Sequence, residues 1–79
     1  MERNEILKKI TEIFADNLDL DNLSLSETTT ADEVEGWESL THVQLVVAVE
    51  KAFKIRFNAK EIQSWKNVGE MIDSIQAKL

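Results

Sequence analysis

The sequence predicts an all-α fold, a four-helix bundle of three longer helices and one short helix. Three observations carry that prediction. The chain has no proline and only two glycines in 79 residues, too little turn chemistry for an all-β domain. Apolar residues recur at helical spacing near both ends. Asn58 and Asn67 are each followed three residues later by a glutamate, Glu61 and Glu70, a pattern that opens helices. The length matches about one small domain, so residues 1–79 are expected to form a single unit with little core to spare.

The first helix is expected from about Glu2 to Asn17, where Ile6, Leu7, Ile10, Ile13, Phe14 and Leu18 line one stripe and Glu5 with Lys9 forms an i,i+4 pair. A connection of 20 residues follows, from Asp19 to Glu38, long enough in a compact domain to indicate a functional or disordered loop. Leu20, Leu23, Leu25, Val34 and Trp37 are expected to pin it to the bundle, with Trp37 a packing plug at its end. From Leu40 to Phe53 the pattern is double. Val43, Leu45, Val47 and Val49 alternate as in a half-buried strand, yet the segment continues for 14 residues with no partner strand in view. Helix is the preferred reading, with Leu40, Val43, Val46, Val47 and Phe53 toward the core and Leu45, Val49 and Ala52 on a flank. So apolar a helix is expected at the centre of the bundle. Between Asn58 and Asn67 only about two turns fit, which makes the third helix a short spacer. The last helix carries Val68, Met71, Ile72, Ile75 and Leu79 on one stripe.

Charge is distributed unevenly. Between Lys9 and Lys51 there is no lysine or arginine, while ten carboxylates fall there; the remaining segments hold nine basic and five acidic residues. An acidic middle steers encounter with basic partners and disfavours nucleic acid and anionic membranes. It is equally the pattern of a solvated loop. No cysteine means no disulfide and no thiol nucleophile, so thioester chemistry would need a borrowed thiol. The chain starts Met-Glu-Arg-Asn without an apolar signal segment, and no apolar run is long enough to span a bilayer; a cytoplasmic protein is expected.

Ser39 stands where the long loop becomes the second helix, within Gly36-Trp37-Glu38-Ser39-Leu40-Thr41-His42. Local physics offers two roles for it. It can cap the helix, or it can bear an anionic ester, because the free amides and the macrodipole of a helix start favour negative charge. Catalysis by Ser39 with His42 as base is disfavoured, since residues three apart on a helix project outward and the Gly-x-Ser-x-Gly elbow is absent. His42 reads as a surface residue without a role, and Trp65 as a core residue. One histidine without cysteine makes no zinc set, and Asp19-x-Asp21 lacks the rest of a calcium loop, so no metal site is assigned.

These features together resemble the acyl carrier protein family over nearly the whole chain: an apolar first helix, a long loop, the Gly-x-x-Ser-Leu turn at Gly36 to Leu40, Val43-Gln44-Leu45-Val46 running to Glu50 and Phe53, and Asn67-Val68-Gly69-Glu70-Met71-Ile72 opening the last helix. The resemblance implies a non-enzymatic carrier of acyl thioesters on a covalent 4'-phosphopantetheine arm. A phosphopantetheinyl transferase would attach the arm to Ser39 from coenzyme A. Partners implied are that transferase and acyl-loading and acyl-transferring enzymes with basic docking surfaces. They would read Asp32, Glu33, Glu35, Glu38, Leu40, Val43 and Glu50, and the carrier would be a monomer. Two departures stand out. Glu38 replaces the aspartate usual before the serine, which implies slower or more selective modification. Thr41, His42, Gln44 and Lys51 replace acids usual on the second helix, which implies a specialised fatty acid, polyketide or related pathway. The competing reading is a small acidic interaction module in which Ser39 is only a cap.

Overall fold

The computed structural model describes all 79 residues and contains four α-helices and no strand. Helix α1 spans Arg3–Leu18. Its N-terminal end is closed locally, where the Glu2 amide donates to Glu5 Oε1 at 3.1 Å, and it ends where Asp19 turns left-handed at φ 56°. Ile6, Ile10 and Phe14 are fully buried at i, i+4, i+8, each burial contributing about 1.5 to 3 kcal/mol. The expected Glu5–Lys9 pair does not form: Glu5 serves the helix start, and the Lys9 ammonium lies over the Phe53 ring, 5.0 Å from its centroid. A cation over an aromatic face competes well with an exposed ion pair.

The long connection contains a single 3-10 turn, Ala31–Glu33, and is anchored as expected: Leu25, Val34 and Trp37 are buried, and Leu20 and Leu23 pack against the core. Backbone bonds tie it to the last helix as well. The Val68 amide donates to Thr29 O at 2.9 Å and the Gly69 amide to Glu27 O at 2.7 Å. Position 69 must be glycine for this approach, since a Cβ there would stand 2.8 Å from Glu27 O. Arg3 reinforces the seam, its guanidinium reaching Glu27 and Asp73 at 2.6 Å each and Gln76 Oε1 at 2.8 Å.

Helix α2 spans Ser39–Phe53, α3 Ala59–Ser64 and α4 Val68–Lys78. The alternation in α2 is therefore helical, but its faces are not those expected. Leu45, Val46, Val49 and Phe53 are buried, whereas Leu40, Val43 and Val47 are 79%, 63% and 43% exposed. The physical reason is that α2 carries two apolar stripes, and only the one through Leu45, Val49 and Phe53 meets α1 and α4 residues of the core. For the same reason α2 is not the central helix. The main pairings are α1 with α2 and α1 with α4, which places α1 in the middle. Asn58 caps α3 through a full reciprocal box, donating to Glu61 Oε1 at 3.1 Å and accepting from the Glu61 amide at 2.8 Å; at α4 the Asn67 side chain accepts from the Glu70 amide at 2.9 Å.

Candidate functional site

The site begins with how the chain turns into α2. Gly36 takes φ +85°, a left-handed conformation that glycine adopts without steric cost. Val34 O accepts from the Trp37 amide at 3.2 Å, closing the turn that carries Trp37 inward. The Trp37 ring is buried edge-on against Phe14, centroids 4.9 Å apart. The next residue out, Glu38, is the helix cap in extended conformation, and Ser39 is the first helical residue. The expected cap role for Ser39 thus falls to its neighbour. What satisfies the cap is Thr41, whose Oγ1 accepts from the Glu38 amide at 2.8 Å and donates back to Gly36 O. Sequence reasoning passed over Thr41. The signal was there, because Glu38 and Thr41 sit at capping-box spacing with the hydroxyl and carboxylate positions exchanged.

With its cap duty taken over, Ser39 is exposed at the start of a 15-residue helix. The His42 amide donates to Glu38 O at 2.7 Å, and the amides of Ser39, Leu40 and Thr41 precede the first helical bond. A phosphodiester on Ser39 Oγ would lie in the field of those N–H groups. Asp32, Glu33, Glu35 and Glu38 are all exposed on the approach to Ser39, and Leu40, Val43 and Val47 run away from it as an exposed apolar stripe. Glu50 is placed differently. It is half-buried and its Oε2 accepts the Phe57 amide at 2.8 Å, fixing the turn after α2.

An open groove of about 470 Å³ adjoins Ser39, walled on one side by Asp32, Trp37 and Glu38 and on the other by Ile62, Trp65 and Lys66. The short α3 is therefore a wall and not merely a spacer. His42 forms part of the floor, half-buried between the two indoles and not free on the surface as expected. Trp37 Nε1 donates to His42 Nδ1 at 2.9 Å, and the imidazole stacks on Trp37 and meets Trp65 edge-on, with centroids 6.0 and 6.2 Å away. Trp65 is only partly buried; its Nε1 donates to Ser74 Oγ at 2.9 Å and its ring packs edge-on to Phe57. Burial depresses the His42 pKa below the usual 6.5, against a smaller opposing effect of a hydrogen bond to the Ile62 backbone. The ring thus favours its neutral form, accepting at Nδ1 from the Trp37 indole.

Residues 8–75 match the family described as phosphopantetheine attachment site. The chain is 34% identical over 76 residues to an acyl carrier protein of Rubrobacter xylanophilus, covering 95% of this chain and 93% of that one. It is 31% identical to an acyl carrier protein of Thermosynechococcus vestitus, covering 100% and 98%. Among solved structures it is similar to the solution NMR structure of holo acyl carrier protein from Geobacter metallireducens, with TM-score 0.85, 37% identity, and coverage of 92% of this chain and 84% of that one.

Proposed function

The chain belongs to the acyl carrier protein family, and from that premise we propose that Ser39 is the residue that bears its 4'-phosphopantetheine arm. The protein is a carrier and not an enzyme. The arm supplies a thiol, which this cysteine-free chain lacks, and acyl groups travel on it as thioesters. The observation that carries the assignment is the place of Ser39: exposed, first in α2, released from capping by Thr41 and Glu38, and at the mouth of a groove that can receive an arm. Free amides at the helix start stabilise the phosphodiester, and no activating base is needed in the carrier itself.

Members of this family interact with a phosphopantetheinyl transferase and with acyl-processing enzymes. Here those partners would present basic side chains to Asp32, Glu33, Glu35 and Glu38 and an apolar surface to Leu40, Val43 and Val47, while Glu50 borders the far end. The four acids lie before α2 and the helix itself carries Lys51, so the loop contributes more of the charge recognition than the helix does. This supports a dedicated carrier of a specialised acyl pathway, acting as a monomeric single domain in the cytoplasm. No helix is long and apolar enough to cross a membrane.

The test is loading in vitro. Incubated with coenzyme A and a broad-specificity phosphopantetheinyl transferase, the wild-type chain should gain the mass of one phosphopantetheine, and Ser39→Ala none. Glu38→Asp should load faster than wild type. Equal loading of wild type and Ser39→Ala would move the arm to another residue and overturn the assignment.

A further inference from the structure

We propose that the far end of α2 carries a second docking patch, of opposite charge to the loop acids: Lys51, Lys54 and Arg56 take carboxylates on an acyl-processing partner and fix which way that partner lies along the helix. The inference deepens the carrier reading and rests on it.

The exposed stripe of α2 does not stop at Val47. Leu40, Val43, Val47, Lys51 and Lys54 follow one another at steps of three or four, the spacing of one helical face. Val47, Lys51 and Lys54 line an open groove of about 380 Å³ together with Glu50, Ile55 and Arg56. Ile55 packs against the core, and its neighbours Lys54 and Arg56 are both exposed. The fold neutralises none of the three cations, since its ion pairs are Arg3 with Glu27 and Asp73, and Lys78 with Glu61. The one carboxylate of the groove, Glu50, is half-buried and accepts the Phe57 amide at 2.8 Å. Three cations therefore stand against one acid that is already engaged.

Helix energetics explain only part of this cluster. Lys51, in the last turn, complements the macrodipole. Lys54 does not serve the backbone: it takes φ 58° at the C-terminal cap, a left-handed conformation that glycine adopts without steric cost and a long side chain does not. Asp19 takes a similar conformation after α1, where a short polar side chain tolerates it. Arg56 lies beyond the helix, outside the last turn in which the macrodipole acts. A lysine where the backbone favours glycine, between two other unpaired cations, points to a role at the surface.

Lys51 follows Ser39 by 12 residues, about 18 Å along the helix axis. The face is thus acidic around Ser39, apolar in the middle and basic at the far end. Its complement is a protein surface with basic side chains beside its entrance, an apolar strip, and carboxylates about 18 Å from that entrance. Such a partner docked the wrong way round would set like charges together at both ends. A nucleic acid or an anionic membrane fits the basic end alone and meets like charge elsewhere, on a chain of net charge -6. A second copy laid antiparallel would match both ends but would cover Leu40 and close off the attachment point beside it.

The experiment uses the enzyme that acylates the phosphopantetheine-loaded chain, purified from the cells of origin by following that activity. Wild type, Lys51→Glu with Lys54→Glu, Lys51→Arg with Lys54→Arg, and Lys54→Gly are each loaded to completion at Ser39, as checked by intact mass, before acylation is measured. The charge-reversed pair should lose about tenfold or more in kcat/KM, through KM and not kcat. The arginine pair should stay within about twofold of wild type. Lys54→Gly should lose about twofold to fivefold while its urea midpoint matches or exceeds that of wild type, a combination that a purely structural lysine would not give. Carbodiimide coupling should join Lys51 or Lys54 to an aspartate or glutamate of the enzyme. Acylation of the reversed pair at the wild-type rate would overturn the inference. So would sedimentation of wild type as a dimer that the reversal dissociates, which would put a second copy on this face, or wild-type binding to anionic vesicles or DNA that the reversal abolishes. If the reversed pair does not fold, Lys54→Gly and the coupling decide. A chain that does not load at Ser39 overturns the carrier reading and this inference with it; a chain that loads and ignores the reversal overturns this inference alone.

Discussion

At the scale of single residues, the turn at Ser39 is assembled by neighbours. Gly36 supplies the left-handed backbone, Trp37 the anchor, Thr41 the cap, and Ser39 is left exposed with nothing to do for the fold. Removing Thr41 should therefore hurt the site through the helix start. Thr41→Val keeps the shape and loses the hydroxyl, and urea denaturation should show a loss of about 0.5 to 2 kcal/mol; an unchanged midpoint would mean that the cap is idle. The place of Ser39 at a helix start was legible from sequence because the long loop there gives way to an apolar helical segment. Its neighbours were less so. His42 lies three residues beyond Ser39 on a segment that could point outward, and only Trp37 and Trp65, 5 and 23 positions away in sequence, draw it into the groove. Local pattern does not report a partner that the fold brings in.

At the scale of elements, α1 and α4 were readable because each has one apolar stripe, buried as a unit: Ile6, Ile10, Phe14 on the first and Val68, Met71, Ile72, Ile75 on the last. Helix α2 was readable as a helix but not in rotation. Its two stripes are equally apolar in composition, so periodicity cannot say which faces the bundle, and the face that stays outside is the one beginning beside Ser39. That exposed stripe is itself informative, since large apolar residues left in solvent beside the proposed attachment point would offer a docking surface to partners. The two stripes should separate cleanly by mutation. Leu45→Ala should cost about 2 to 5 kcal/mol, as expected for a fully buried leucine, whereas Leu40→Ala should stay within about 0.5 kcal/mol in denaturation. Similar costs for both would mean that α2 is rotated from the position described. The short α3 owes its place to caps and aromatic packing more than to length, which is why its role as a groove wall could not be read from its two turns.

At the scale of the whole molecule, an acidic centre is tied to the bundle by apolar anchors and backbone bonds, and some of the remaining ties are titratable. Hydrogen bonds from Arg3 hold the Glu27 carboxyl below its usual 4.5, and the Asn58 backbone amide followed by Lys78 does the same for Glu61. Depressed carboxyl values give stability that is complete above 4.5 and lost as pH falls through the folded-state values. His42, half-buried and with its pKa depressed by that burial, adds a loss of the same sign at higher pH, starting as pH falls below 6.5. Urea midpoints measured from pH 8 to pH 3 should therefore be flat at first, decline below pH 6.5, and decline again below pH 4.5. His42→Gln should remove the upper decline and Glu27→Gln reduce the lower one; a single step below 4.5 in wild type would contradict the neutral, half-buried state of His42. The proposed carrier function turns on one atom, Ser39 Oγ. The most direct measurement is tandem mass spectrometry of the protein isolated from its own cells, on the peptide that contains Ser39. The account predicts a phosphopantetheine on Ser39, released as a characteristic fragment on activation; a peptide that is never modified, or an arm found on another serine or threonine, would contradict it.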